Sequence, residues 1–175
     1  MKHLKYYLSF LFLAITASSF AQTDKETTIK IVADKSYIFN ANSAQPLSSA
    51  DVNQVLSRMS GGANGSYINL SGSQYDVVVT KDSIVAYLPY YGRSYNAPYN
   101  PTESGIKFKS RDFSYTEAKG KKGSYTIKIQ TKDLKMENYQ MILNVSQNGY
   151  ASLMVNSNNK QAISYNGFLS EAKKK

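Results

Sequence analysis

The feature that most constrains this chain is a succession of short runs rich in Val, Ile and Tyr, separated by turn residues, between positions 67 and 169. Within residues 124–131 apolar and polar side chains alternate, the apolar ones being Tyr125, Ile127 and Ile129. A period of two places one face of a strand against a core and the other face in water. The pattern therefore predicts an antiparallel sheet with one buried face.

The connections between these runs are short. Lys81-Asp82 reads as a two-residue hairpin turn, and Asn148-Gly149 is typical of a type I′ turn. Strands joined in this way form a meander, and about eight of them suffice to close a barrel. We expect a mainly β fold, a single antiparallel meander β-barrel, with a two-sheet β-sandwich as the alternative. The predicted strands are residues 37–41, 67–70, 75–80, 83–88, 106–108, 111–118, 124–131, 139–146, 150–156 and 162–169.

The segment that precedes the meander is less regular. Residues 27–34 carry Ile29, Ile31 and Val32, a spacing that fits either a short helix or a strand. Residues 48–51 resemble a helix cap, which predicts a helical turn over 52–59 that ends at Gly61-Gly62. We therefore expect one or two short N-terminal helical segments.

The N-terminus has the pattern of a secretory signal peptide. Lys2 and Lys5 precede an apolar run over residues 6–15, and small residues lead up to Ala21. That run falls short of the roughly 20 residues that a membrane-spanning helix needs. We expect cleavage near Ala21, a flexible leader over 22–29, one domain over 30–170 and a basic tail over 171–175. The predicted location is periplasmic or secreted, with no membrane span.

Cysteine is absent and the formal net charge is +9. Without cysteine the chain has neither disulfides nor a lipid anchor at the cleavage site. The lysines are scattered and form no basic stripe interleaved with aromatic residues. We therefore expect no nucleic-acid partner.

The mature chain lacks most catalytic side chains. Its sole histidine, His3, lies in the signal peptide, and tryptophan is absent as well. Ser-His-Asp and Cys-His catalysis, the usual zinc sites, haem and iron–sulfur clusters are therefore excluded. We expect a protein that is not an enzyme, with no cofactor and no metal; a carboxylate-based hydrolase is the remote alternative.

Two short motifs have a functional interpretation and a simple turn as its alternative. Ser157-Asn158-Asn159-Lys160 matches the Ser-x-x-Lys pattern of penicillin-recognising enzymes, but it falls in a predicted turn and is interpreted as one. Asp82-Ser83-Ile84 fits a short pattern for O-glycosylation at Ser83, against the alternative of an unmodified turn.

Residues 87–100 hold five of the fifteen tyrosines, two prolines and one arginine. In one interpretation these side chains line the barrel mouth and stack on a ligand such as a sugar ring. In the other they close the barrel end as a structural lid, with Arg93 paired to a carboxylate such as Asp112. The candidate ligand-binding residues are Tyr90, Tyr91, Arg93, Tyr95 and Tyr99.

Several segments resemble one family of exported bacterial proteins. They are residues 37–44, 105–108, 149–153, Leu-Pro-Tyr-Tyr-Gly-Arg-Ser-Tyr-Asn-Ala-Pro-Tyr at 88–99 and Asn-Ser-Asn-Asn-Lys-Gln-Ala-Ile-Ser-Tyr-Asn-Gly at 156–167. Together they are similar to the uncharacterised DUF4251 family of the Bacteroidetes. The resemblance implies a lipocalin-like β-barrel, a periplasmic or surface setting and no assigned activity. The family pattern has Arg at the position of Lys160 and Phe at that of Tyr91.

Two function classes follow from these observations. The first is a non-enzymatic binding module for a small amphipathic or glycan-like ligand. The second is a protein-interaction or envelope-structural module, whose partner is an envelope protein and whose aromatic loop is a lid. An interior filled by large side chains favours the second class.

Overall fold

The computed structural model describes residues 23–46, 67–96 and 105–172. The predicted signal peptide, the helical turn over 52–59, Tyr99 and the basic tail beyond residue 172 lie outside those ranges. A helix, α1 (Lys25–Ala33), precedes the strands, and a single 3₁₀ turn occupies Lys121–Gly123. The strands are β1 (Tyr37–Pro46), β2 (Ile68–Asn69), β3 (Asp76–Val79), β4 (Ile84–Leu88), β5 (Ile106–Ser110), β6 (Phe113–Lys119), β7 (Tyr125–Thr131), β8 (Tyr139–Val145), β9 (Tyr150–Ser157) and β10 (Ile163–Glu171).

The strands form one nearly closed antiparallel barrel. Their order is β5-β4-β3-β1-β10-β9-β8-β7-β6, and β2 pairs with β1. From β6 to β10 each strand pairs with the next in sequence, as expected of a meander. The exception is β1, which lies between β3 and β10 and joins the first and last parts of the sheet. The predicted β-barrel is confirmed, and the described strands belong to a single sheet rather than to the two sheets of a sandwich.

The barrel interior is filled by side chains along the described strands. In β7 the predicted inward residues Tyr125, Ile127 and Ile129 are all buried. Burial of each large apolar side chain stabilises the fold by about 1.5–3 kcal/mol. The largest fully buried side chains are Tyr37, Tyr165, Phe39, Ile84, Leu88, Ile106, Ile127, Met141, Ile163, Leu169, Val32 and Val79.

Helix α1 packs beside β10, and its bounds decide between the two predictions for residues 27–34. The segment is a helix, whose first turn is capped by the Asp24 carboxylate accepting from the backbone N–H of Thr27 at 2.7 Å. Thr28, Ile31 and Val32 are the buried residues of the helix. The sequence predicts a flexible leader over residues 22–29, but the helix begins inside that range. The cap and the buried stripe hold this part of the chain in helical form. No helix in the described ranges is long and apolar enough to span a bilayer.

A β-bulge interrupts β1 at Asn42. The register with β10 shifts between Ala41 and Ser43, so that Asn42 is the extra residue. At this point β10 passes very close to β1, so that a Cβ atom at position 167 would collide with the backbone oxygen of Asn40. Only glycine allows that approach.

The turn at Asn148-Gly149 differs from the predicted type I′ hairpin. The backbone N–H of Ser146 donates to the oxygen of Tyr150, and the N–H of Gly149 donates to the oxygen of Ser146. Gly149 has a φ of 78°, whereas Asn148 is not among the described residues with positive φ. The connection is thus a three-residue loop with glycine in the left-handed position, a common alternative to type I′.

Candidate functional site

The aromatic loop, residues 89–96, lies along the turn that joins β9 to β10. The backbone N–H of Tyr95 donates to the oxygen of Asn159 at 2.8 Å, and the N–H of Gln161 donates to the oxygen of Arg93 at 3.1 Å. The Asn159 side chain also bonds the backbone of Asn96, as acceptor and as donor. These hydrogen bonds hold the two segments together as a short antiparallel pair and fix the loop in place.

Two of the candidate residues point into the barrel end. Tyr90 and Tyr91 are half-buried and pack against the core. The Tyr90 hydroxyl lies 2.8 Å from the backbone oxygen of Arg93 and 3.1 Å from that of Gln161, and its single hydrogen is shared between these two acceptors. Burial raises the pKa of Tyr90 to about 12 and also raises the pKa of Tyr91. This part of the loop is a lid.

Beneath the lid lies a cluster of tyrosine hydroxyls. Tyr165, on β10, donates to the oxygen of Pro89 at 2.5 Å. Burial raises the pKa of Tyr165, and the nearby hydroxyls of Tyr90 and Tyr91 add to the effect. Burial also raises the pKa of Tyr139, with a further contribution from the Glu137 carboxylate. Each of these rings remains neutral at physiological pH.

The other candidate residues point outward. Arg93 is exposed, and the side chain of Tyr95 is 65% exposed. The expected pairing of Arg93 with Asp112 is not found among the described residues, where Lys160–Glu137 is the ion pair observed. Asp112 instead lies in the β5–β6 turn, with its backbone bonded to Lys132. The structure thus divides the predicted cluster between the interior and the surface.

The Lys160–Glu137 ion pair is the polar centre of this barrel end. Lys160 Nζ lies 2.6 Å from Glu137 Oε2, and the two side chains are 8% and 16% exposed. Ser157 Oγ donates to Glu137 Oε1 at 2.6 Å and accepts the backbone N–H groups of Asn159 and Lys160. The Lys160 ammonium also lies 5.9 Å from the ring centroid of Tyr90. The interpretation of Ser157-x-x-Lys160 as a turn agrees with this geometry.

Sequence reasoning missed this pair. Glu137 and Lys160 are 23 positions apart; Glu137 stands in no motif, and the Ser-x-x-Lys pattern that contains Lys160 does not point to a carboxylate partner. The sequence holds only a weak signal for the pair. Lys160 is a long cationic side chain in a turn whose preceding residues, Ser157, Asn158 and Asn159, are short and polar.

A cleft of about 440 Å³ opens beside the ion pair. One wall contains Phe108 and Tyr139, whose rings stack with centroids 4.5 Å apart and planes 15° apart. Met136, 93% exposed, stands at its edge. None of the described loop candidates lines it; the lining residues are Gly105, Lys107, Phe108, Leu134, Lys135, Met136, Glu137, Tyr139 and Lys160.

Carboxylates form no metal site within residues 23–46, 67–96 and 105–172, where no cluster of three potential ligands is found. Asp133 has a structural task instead. Its carboxylate accepts from the Ser110 hydroxyl and from the backbone N–H of Arg111, and these bonds lower the pKa of Asp133 to about 2. It thereby fixes the β5–β6 turn.

Ser83 lies at the β3–β4 hairpin, as the sequence predicts. It is half-buried, and its hydroxyl lies 3.0 Å from that of Thr80. The backbone N–H of Thr80 donates to the oxygen of Ser83, which closes the two-residue turn at Lys81-Asp82. O-glycosylation of Ser83 stays a prediction, for which mass spectrometry of native protein is the test.

Comparison with known proteins identifies the family. The family model for DUF4251, a domain of unknown function, matches residues 20–169. A crystal structure of a DUF4251 family protein from Bacteroides eggerthii DSM 20697 superposes with a TM-score of 0.55 at 12% identity, covering 84% of this chain and 87% of that one. At this identity the likeness concerns the fold alone. A search of curated proteins finds no match.

Proposed function

Because this chain belongs to the DUF4251 family, whose function is unknown, we propose its function from its own geometry. We propose an exported, non-enzymatic binding module whose ligand is a small amphipathic anion. The site is the cleft beside the Lys160–Glu137 ion pair.

The stacked pair Phe108–Tyr139 is the observation that carries the proposal. Phe108 is half-buried and presents part of its ring to the cleft, Tyr139, 4% exposed, supports it from behind, and the neighbouring Leu134 and Met136 extend the apolar surface. A cleft of about 440 Å³ with such a lining falls in the size range of small-molecule sites. An apolar ligand body gains free energy by covering this surface.

The charges around the cleft supply the second half of the ligand's chemistry. Three of its lining residues are lysines, Lys107, Lys135 and Lys160, against the single carboxylate of Glu137. Lys160 is engaged with Glu137, while Lys135 is exposed at the rim. A net positive rim above an apolar wall favours a ligand with an anionic head.

The filled interior supports a site at the end of the barrel rather than in its centre. Phe39, Met141 and Tyr165 occupy the space in which a hollow barrel holds its ligand, and each is at most 1% exposed. Tyr90 and Tyr91 cover the same end. A ligand inside the barrel would have to displace this packing, at a cost of several kcal/mol.

The Ser157–Glu137–Lys160 arrangement supports a non-enzymatic role. A nucleophilic serine needs a lone pair directed at the substrate and a base that takes its proton. Ser157 Oγ instead accepts two backbone N–H groups, and Glu137 is neutralised by Lys160. This is the geometry of a rigid turn.

A protein-interaction or envelope-structural module is the second candidate. The exposed side chains of Tyr95 and Met136 favour this candidate. Both are large and mainly apolar, and their segments flank the Lys160–Glu137 ion pair. Aromatic residues and methionine are enriched at protein interfaces. In this case an envelope protein covers the barrel end, and the lid is purely structural.

The test uses the amphipathic anion 1-anilinonaphthalene-8-sulfonate as a fluorescent probe, with full-length mature protein. Lys135→Glu reverses a charge at the rim and should weaken probe binding about tenfold. The control Lys81→Glu makes the same change in net charge at the distant β3–β4 hairpin and should leave binding unaltered. Equal effects of the two variants, or no saturable binding, would refute the site. Native mass spectrometry of protein from its own host then identifies the retained ligand.

A further inference from the structure

A second cleft, independent of the first, lies on the outer face of the barrel. It is shallow, has a volume of about 550 Å³ and crosses β7, β8, β9, β10 and β1. Its floor is a row of short polar side chains in register, each paired with the next across adjacent strands. The row consists of Thr126, Asn144, Ser152 and Asn166, which line the cleft, and of Ser43, which continues it on β1 beyond the lining residues.

These side chains face outward because their neighbours in sequence face the core. Asn144 stands between the buried Leu143 and Val145, and Ser152 stands between the buried Ala151 and Leu153. The row therefore runs across the barrel surface, perpendicular to the strands. With neighbouring strands about 4.8 Å apart, its length is roughly 19 Å.

The β-bulge adds a further amide to the row. Asn42, the extra residue of β1, lines the cleft beside Asn166. The close passage of β1 over Gly167 makes this possible, since any side chain at position 167 would meet the oxygen of Asn40. Bulges commonly redirect a side chain next to a binding site.

The lining of the cleft is uncharged. None of its residues is Asp, Glu, Lys or Arg, although the chain as a whole carries a net charge of +9. An anion finds no cation here, and a wholly apolar ligand would desolvate the amides and hydroxyls of the row without replacing their hydrogen bonds. Tyr125, Val145 and Ala151 also line the cleft, so the matching ligand is neutral and combines apolar faces with groups that both donate and accept.

We propose that this cleft binds a neutral oligosaccharide. Asparagine amides and serine or threonine hydroxyls donate and accept, as sugar hydroxyls do. Tyr150, which is 52% exposed at the edge of the cleft, supplies an aromatic face for a sugar ring. The four residues of the row that line the cleft span roughly 14 Å, which accommodates more than one sugar ring.

The test is an array of neutral hexasaccharides, with maltohexaose, cellohexaose and xylohexaose among them, followed by NMR titration of ¹⁵N-labelled protein with the best-retained sugar. We expect retention of at least one glycan and shifts at the amides of Asn144, Ser152 and Asn166. Asn144→Ala and Tyr150→Ala should each weaken binding about tenfold, because each removes a group that contacts the sugar. Retention of no neutral glycan would overturn the proposal.

Gln130 and Gln140 provide the matched control. They face each other across the same two strands, β7 and β8, outside the cleft. Gln130→Ala and Gln140→Ala should leave glycan binding unchanged. If they weaken it as much as Asn144→Ala does, or if Asn144→Ala has no effect, the sugar does not lie on this row. Loss of glycan binding in Lys135→Glu would place the sugar in the other cleft and likewise overturn the proposal.

Discussion

Lys160 Nζ and Glu137 Oε2 lie 2.6 Å apart beneath the aromatic loop. The pair connects the segment between β7 and β8 to the turn between β9 and β10, and the loop is hydrogen-bonded to that same turn through Asn159. A buried ion pair of this kind fixes a geometry more than it adds stability. It therefore sets the position of both the lid and the cleft.

Removing one partner of this pair should be costly. Lys160→Met leaves the Glu137 carboxylate without its cation in a largely buried place, and we expect a loss of about 3 kcal/mol in the free energy of unfolding. Urea denaturation measures it. The control Lys128→Met removes an exposed lysine from β7 and should change stability by less than about 0.5 kcal/mol. Similar losses in the free energy of unfolding for the two variants would mean that the Lys160–Glu137 pair does not order this end of the barrel.

The two halves of the aromatic loop should respond differently to truncation. Tyr91→Ala removes a ring that packs against the core, and we expect a loss of about 2–3 kcal/mol in stability. Arg93→Ala and Tyr95→Ala remove exposed side chains and should each alter stability by less than about 0.5 kcal/mol. Thermal melting of the three variants is the measurement. A stable Tyr91→Ala protein would contradict the lid.

Tyr90 should make the protein sensitive to alkali. Its pKa is raised by burial from 10.0 to about 12, so the folded state keeps a proton that the unfolded state loses. The stabilising contribution is complete below about pH 10 and disappears as the pH rises to about 12. Tyr90→Phe should be less stable than the wild type by about 1 kcal/mol at neutral pH, with the gap narrowing over this range. A stability difference between Tyr90→Phe and the wild type that stays constant with pH would rule out this role of Tyr90. Tyr95→Phe, which makes the same change at an exposed tyrosine, is the control.

Asp133 should make the stability of the protein depend on pH under acidic conditions. Hydrogen bonds from Ser110 and from the backbone lower the pKa of this carboxyl from 3.8 to about 2. Its contribution is present above about pH 4 and is lost as the pH falls through about 2. The melting temperature of Asp133→Asn should be lower than that of the wild type at pH 6, and the two should converge towards pH 2. If the melting temperatures of the two proteins differ by the same amount at every pH, the carboxylate does not hold the β5–β6 turn.

The alternation of side chains predicts most of the fold. Every described strand falls within two residues of a predicted one at each end, apart from β1, which continues from the predicted end at residue 41 to Pro46. That extension has no period-two pattern to mark it, because the bulge at Asn42 breaks the alternation. Local sequence therefore suffices to predict a strand where one of its faces is buried and the other is exposed to solvent.

The candidate site is less predictable. The loop composition identifies the tyrosines but not their directions, which depend on hydrogen bonds to Asn159 and Gln161 far along the chain. The stacked pair of Phe108 and Tyr139 joins strands that are not neighbours in the sheet. Such contacts come from the closing of the barrel, and no local pattern reports them.

An NMR titration with 1-anilinonaphthalene-8-sulfonate tests the ligand site most directly. The proposed function predicts that the amide shifts cluster at Phe108, Leu134, Met136 and Tyr139, and that Lys135→Glu requires about tenfold more probe to reach the same shifts while the protein stays folded. Shifts confined to the backbone of inward-facing residues such as Phe39 and Met141, with Lys135→Glu unchanged, would place the ligand inside the barrel and contradict the account.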